Sequence, residues 1–306
     1  MHLASLDLNL LVALRALLEE RNVTRAGQRI GLSQPAMSGA LARLRHHFDD
    51  DLLARTGNSY ELTALGRALM DRTVAACDLA ERVFDSQSAF DPAKESREFR
   101  IIASDYAVTV FGARLVRAVQ AEAPGVRLHF ELTPATVVEE TAALLSTTDG
   151  LFLPHGIISG YPAVEVFRDR WVFVVSEDHP EVGDELTLDD LRRLPWVMYQ
   201  RLYASPSTRQ LGMLGIEPRS EVSADTFHAL CFLVSGTRNI ALVQARLAER
   251  LRAAAGVRVL EPPYGTVPLH EALWWHPLHT HDAAHTWFRE TVARVAERMT
   301  GQAAEG

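Results

Sequence analysis

Leucines recur along the start of this chain with the period of a helix, and turn chemistry interrupts the period at two places. Leu8, Leu11, Leu14, Leu17 and Leu18 make one apolar stripe with Asp7 available as its cap, which predicts a first helix. Thr24 is the expected N-cap of a short second helix that ends near Ile30, with Gly31 placed to stop it. Ser33 is the expected cap of a third helix, with Pro35 in a first turn where a missing N–H costs nothing. Met37, Leu41, Leu44 and Phe48 then fall on one side of that helix, and Gln34, Ser38, Gly39, Ala42, Arg43 and Arg45 on the other. Residues 52–55 and 60–62 read as strands around a Gly57-Asn58-Ser59 turn. Three helices and a hairpin predict a winged helix-turn-helix.

Thr63 can cap the next element, and residues 64–91 contain no proline. Leu69, Ala76 and Val83 lie seven apart there, with Leu65, Leu79 and Ala80 beside them, so the helix carries a seam either for a second chain or for its own domain. Dimerisation is the favoured reading, because so small a module reads DNA best as a symmetric pair. Pro92 and the polar run around it mark a boundary. Beyond it FRIIAS, VRLHFEL, LFL, WVFVVS, WVMY and NIALV alternate with helical stretches, the pattern of an open α/β domain. Ligands collect at the carboxyl ends of such strands, which singles out Ser104-Asp105, Thr133-Pro134, residues 199–208 and residues 224–227.

Charge changes the picture most at the helix pair. The chain has 306 residues and net charge −8, enough for about two domains. Residues 1–72 nevertheless hold nine arginines against eight acids, a balance of +1, and the remainder holds 22 bases against 31 acids, a balance of −9. Residues 22–48 contain no acid at all but carry Arg25, Arg29, Arg43 and Arg45, so a polyanion has a place to dock. Small and hydrogen-bonding residues at the start of the third helix suit entry into the major groove, and Arg55 on the wing is placed for phosphate or the minor groove. An ordinary helical pair with a solvated basic face would show the same periodicity. Cys77 and Cys231 lie far apart in no metal-like spacing, which favours a reducing cytoplasm, with Cys77 a small buried residue rather than a disulfide partner. The N-terminus lacks a signal-peptide pattern, and no apolar run is long enough for a membrane span.

The order TRAGQRIGLSQPAMSGALARLR, LLART and LTALG followed by a long helix resembles the N-terminus of LysR-type transcriptional regulators. Their Ser-Gln-Pro-Ala-x-Ser pattern is met at residues 33–38. Where most members have Leu-Glu, this chain has Leu44-Arg45, and where two alanines are usual it has Ala26-Gly27. The resemblance implies a cytoplasmic regulator of double-stranded DNA, acting as a dimer or tetramer. Gln34, Pro35 and Ser38 would lie at base edges or the adjacent backbone, and Thr24, Arg43 and Arg55 would hold phosphates. It implies a DNA-binding domain over residues 1–63, a linker helix over 64–92 and an effector domain over 93–306. That last domain would be a two-lobed α/β unit of periplasmic-binding-protein type, with one lobe over about 95–167 and 267–300 and the other over about 168–266. Ser104, Thr133, Tyr203 and Thr226 would face a small-molecule inducer between the lobes. The tail PLHEALWWHPLHTHDAAHTWFRETV resembles the nodulation-regulator branch, which implies an aromatic compound or small organic acid as inducer and no further cofactor.

Two other classes compete: a small-molecule-binding protein whose N-terminal helices merely dimerise it, and a metal-dependent enzyme using His276, His279, His281 and His285 with Asp282. HEALW is not the zincin HExxH pattern, and no Cys or second carboxylate completes a metal site. GxGxxG, P-loop and GxSxG patterns are all absent, so the chain is not expected to be an enzyme. Trp274-Trp275 reads as core strand.

Overall fold

The computed structural model describes residues 7–56, 59–85, 90–203 and 205–304. Contacts divide the chain into two units, residues 1–88 and 89–306. The first holds α1 (Asn9–Glu20), α2 (Val23–Arg29), α3 (Gln34–Phe48), the hairpin β1 (Leu53–Thr56) and β2 (Ser59–Leu62), and α4 (Ala64–Asp85). Its core is the predicted stripe: Leu14, Leu17 and Leu18 of α1 meet Met37, Leu41 and Leu44 of α3, with Leu53 and Leu62 of the hairpin closing one side. The strands pair antiparallel, Leu53 opposite Leu62 and Arg55 opposite Tyr60. Gly57 and Asn58, expected at the turn, lie outside the described residues.

Three local expectations are corrected. Leu8 is 59% exposed, because α1 begins one residue later and the Asp7 carboxylate accepts the Asn9 N–H at 3.1 Å. Thr24 is inside α2, not its cap. The cap is Asn22, whose extended backbone lets its side chain accept the Arg25 N–H at 2.9 Å. Leu65 and Leu69, taken as the start of a seam, pack against the unit's own core; the side chains of Leu79 and Val83 lie outside the described residues. Gly31 (φ 71°) and the Ser33 cap stand where expected. Cys77 is buried, its thiol 3.8 Å from the Leu11 carbonyl.

A small polar knot ties the hairpin to its neighbours. The Asp50 carboxylate accepts from the Leu52 N–H at 2.6 Å and the Thr63 hydroxyl at 2.7 Å, and Thr63 in turn caps α4 by accepting the Gly66 N–H at 2.9 Å. Those bonds hold the Asp50 carboxyl below its ordinary range, Thr63 first. Arg45 donates to the carbonyls of Asp51 (2.9 Å) and Leu53 (3.1 Å), so the residue that departs from the family's Leu-Glu braces the wing onto α3. Gly66 is required here: a Cβ would stand 2.6 Å from the Leu52 carbonyl oxygen.

The described residues of the second unit form ten strands in two sheets. β3 (Glu98–Ala103), β4 (Arg127–Leu132), β5 (Gly150–Pro154), β6 (Ala163–Asp169) and β12 (Leu269–Trp274) form one, in the order β4-β3-β5-β12-β6. β7 (Trp171–Ser176), β8 (Pro195–Tyr199), β9 (Arg219–Ala224), β10 (Ile240–Gln244) and β11 (Val257–Leu260) form the other, in the order β11-β7-β10-β8-β9. The pairs of β3 with β4 and β5, and of β8 with β9 and β10, are parallel. The chain passes from the first sheet to the second at Arg170 and returns between β11 and β12, so the unit has two lobes. All six apolar runs are strands. β6, β9 and β11 went unpredicted, and each is an edge strand carrying charge or hydroxyls, as edges facing water do.

The helix Ala283–Ala304 closes the first lobe by stacking Phe288 on Phe99 at 4.6 Å. Arg97 anchors the same corner, donating to Asp149 at 2.7 Å and to both oxygens of Asp282 at 2.9 and 3.0 Å. No helix among the described residues is long and apolar enough to cross a membrane.

Candidate nucleic-acid interface and ligand cleft

On α3 the buried stripe forces its opposite face outward, and Gln34, Pro35, Ser38 and Arg43 are all exposed there. Thr24 on α2 and Arg55 on β1 are exposed as well. Among the described residues nothing bonds to the Gln34 amide or the Ser38 hydroxyl. The arginines are different. Arg29 pairs with Glu19 at 2.5 Å and Glu20 at 3.3 Å, and Arg25 donates to the Glu20 carbonyl at 2.7 Å. Arg43 pairs with Asp7 at 3.0 Å. The acids that bracket the window in sequence thus fold back onto it in space, and the face is less positive than its composition implies. The arginines are exposed, although Glu19 and Glu20 are half-buried, and such surface pairs are worth about 0–1 kcal/mol, so a competing anion can displace the carboxylates at little cost.

The second unit encloses a cavity of about 320 Å³ between its sheets. Ser104, Thr133 and Tyr203 line it. The Ser104 hydroxyl is already committed, accepting the Ala107 N–H at 3.1 Å as a helix cap. Thr133 is buried with its hydroxyl unpartnered. Thr226, expected with them, is not in the wall. Asp105 accepts from the Phe227 and His228 N–H groups at 3.1 and 2.7 Å, and this holds the Phe227 ring in the wall instead, 3.7 Å from the Tyr199 ring.

The residues that define the cavity chemically are ones the sequence reading passed over. Arg201 donates to the Thr133 carbonyl at 3.1 Å and lies 4.2 Å over the Tyr199 ring, yet its Nε has no partner. Burial pulls its pKa below the usual guanidinium range. The Tyr199 hydroxyl, the Gln244 Oε1 and both Glu271 carboxylate oxygens also lack partners. Glu271 is 1% exposed, and burial, with Asp169 adding like charge, pushes its carboxyl up to about 8. Native interiors leave few polar atoms unpaired, so orphans gathered on one cavity mark its wall as suited to a polar ligand. One signal was legible: Glu271 sits between Leu269 and Leu273 on the alternation of β12, an acid on a buried face.

The histidine tail does something else. His279 and His285 are buried and stacked at 4.9 Å. The His285 Nε2–H donates to the Asp149 carbonyl at 2.6 Å while its Nδ1 accepts from Arg289 at 2.8 Å. Burial drives its pKa down to about 3, so the ring is neutral. No group of three metal-ligating residues occurs among the described residues.

Two family models match the chain: "Bacterial regulatory helix-turn-helix protein, lysR family" over residues 8–67 and "LysR substrate binding domain" over residues 92–297. Nodulation protein D 2 of Rhizobium tropici is 33% identical over 302 residues, covering 98% of this chain and 96% of that protein. A probable transcriptional regulator of Pseudomonas aeruginosa superposes with a TM-score of 0.71 at 28% identity, over 95% of this chain and 97% of that one. Full-length CbnR in complex with its target DNA shares the fold, with a TM-score of 0.52 at 20% identity over 95% of this chain and 100% of that one.

Proposed function

This chain belongs to the LysR family of transcriptional regulators, and on that premise we propose that it couples a small molecule in the cleft of its second unit to DNA contacts made by α3 and the wing. It is a DNA-binding regulator and not an enzyme; the metabolic and metal-enzyme alternatives give way to that membership. Gln34, Pro35 and Ser38 read bases, while Thr24, Arg43 and Arg55 hold phosphates. The protein acts in the cytoplasm as a dimer or tetramer, pairing half-sites. The inducer is an aromatic compound or small organic acid. The observation that carries this reading is the set of unpartnered polar atoms at Thr133, Tyr199, Arg201, Gln244 and Glu271 around one aromatic-walled cavity. A ligand that binds one arrangement of the lobes more tightly shifts the protein toward it, and only that difference in affinity can act on DNA.

Footprinting on the DNA upstream of the protein's own gene, across a salt series, tests the DNA half. A protected dyad with steep salt dependence is expected. Arg55→Ala should weaken binding to all sequences and flatten the salt slope, whereas Ser38→Ala should lose mainly site discrimination. Unchanged binding and salt dependence in both variants would refute this docking.

A further inference from the structure

The cleft wall carries two unlike groups. Arg201, half-buried, follows β8 and is the one guanidinium among the described residues of the wall, stacked on Tyr199. Glu271 and Gln244 lie deeper, both 1% exposed, on the strands that flank the crossing between the lobes: Gln244 opposite Trp171, Glu271 opposite Phe167. We infer, building on the effector reading above, that Glu271 selects the effector by charge, holding an uncharged hydroxyl while Arg201 holds an anionic group. The cleft therefore takes a monoanion that carries a neutral hydroxyl in preference to a dianion.

The hydrogen-bond inventory leads there. An ionised Glu271 would have nothing to neutralise it: neither oxygen has a donor, and the nearby charge is Asp169. Asp169 is itself engaged, accepting from the Tyr106 hydroxyl at 2.8 Å and the Arg170 N–H at 2.8 Å. The cation that faces Asp169, Arg246, directs its Nε to the Arg168 carbonyl at 3.3 Å. Tyr106 and Tyr203 both feel the Glu271 charge as a cost. His155, which shares the cavity, stacks edge-on against Trp274 at 5.0 Å. The carboxyl is accordingly protonated at neutral pH, titrating at about 8, and offers one O–H donor. Gln244 Oε1 is an acceptor in want of a donor. A hydroxyl satisfies both at once, accepting from Glu271 and donating to Gln244. A second carboxylate would lie beside Glu271, which already feels Asp169 as a like charge, with no cation among the described wall residues besides Arg201.

Calorimetric titration of the full-length protein tests this with three para-substituted benzoates of like shape: 4-(hydroxymethyl)benzoate, 4-methylbenzoate and terephthalate. At pH 7 the hydroxymethyl compound should bind at least tenfold more tightly than terephthalate and more tightly than the methyl compound. Its affinity should fall about tenfold by pH 9, one unit above the Glu271 titration, because the ligand itself does not titrate there. Glu271→Gln, which keeps a neutral donor, should retain the preference and lose the pH dependence. Arg201→Met should abolish binding of all three. Equal binding of terephthalate, or the same pH slope in Glu271→Gln, overturns the Glu271 role. If Arg201→Met abolishes binding while pH and Glu271→Gln do nothing, the cleft remains the effector site and only the selection by Glu271 falls. If no probe binds, or Arg201→Met leaves binding unchanged, the cleft reading falls and this inference with it.

Discussion

The face of α3 and the wall of the cleft, the two surfaces proposed for recognition, treat polar groups in opposite ways. On α2 and α3 the arginines are partnered within the chain: Arg29 to Glu19 and Glu20, Arg43 to Asp7, and Arg45 to the wing carbonyls, with the arginine side chains at or near the surface. In the cleft Thr133, Tyr199, Gln244 and Glu271 present buried polar atoms that no other group of the chain satisfies. The difference follows from the partner each surface awaits. A polyanion arrives with many charges and exchanges one set of weak, solvated pairs for another, so little is lost when it is absent. A small ligand brings few groups, and a buried site gains discrimination from the polar atoms that the chain leaves unpaired, at a cost to the fold.

The comparison can be broken most severely from the side of packing. Met37→Ala removes a fully buried side chain beneath the α3 face and should destabilise the first unit by about 2–5 kcal/mol, read by thermal unfolding and loss of DNA binding. Glu271→Gln should show the cost of burying that carboxyl. A carboxyl raised from 4.5 to about 8 contributes stability that is full below about pH 4.5 and is lost as pH rises to about 8. The variant should therefore be more stable than the parent at pH 8, by about 2–4 kcal/mol, with no gain near pH 4. His285 slopes the other way. Its pKa falls from 6.5 to about 3, so its contribution is present above pH 6.5 and lost as pH drops toward 3; a His285→Asn chemical-denaturation series should lack that acid limb. The smallest stability effect is at the wet surface. Arg43→Ala should change unfolding by less than about 0.5 kcal/mol, because its Asp7 pair is exposed, yet lower the logarithmic salt slope of DNA binding by about one.

How much was legible depended on which force decided the local structure. The α3 stripe, the Ser33 cap and the Gly31 stop were readable because periodicity and backbone chemistry act within a few residues. Thr24 was misread because Asn22, two residues earlier, is an equally good cap, and the choice is made by how the chain leaves α1 at Arg21 (φ 49°). β6, β9 and β11 were missed because edge strands are specified by the strand beside them more than by their own alternation. In the cleft, Ser104, Thr133 and Tyr203 were reachable from the rule that ligands gather at strand ends. Arg201 lay inside a stretch already singled out, but its role depends on Tyr199 and Thr133, and no spacing reveals that. Glu271 was visible only as an acid on a buried alternation.

The knot of Asp50, Thr63 and Arg45 has a mechanical consequence. Because α3, the hairpin and the start of α4 share it, the wing is held to the recognition helix as the jaw of a caliper is held to its beam. The gap between Ser38 and Arg55 is then set before any DNA arrives. With Ser38 and Arg55 docked as proposed, duplex whose groove is too wide or too narrow for that gap would have to deform to fit, and the protein would measure the dimensions of a site as well as its letters.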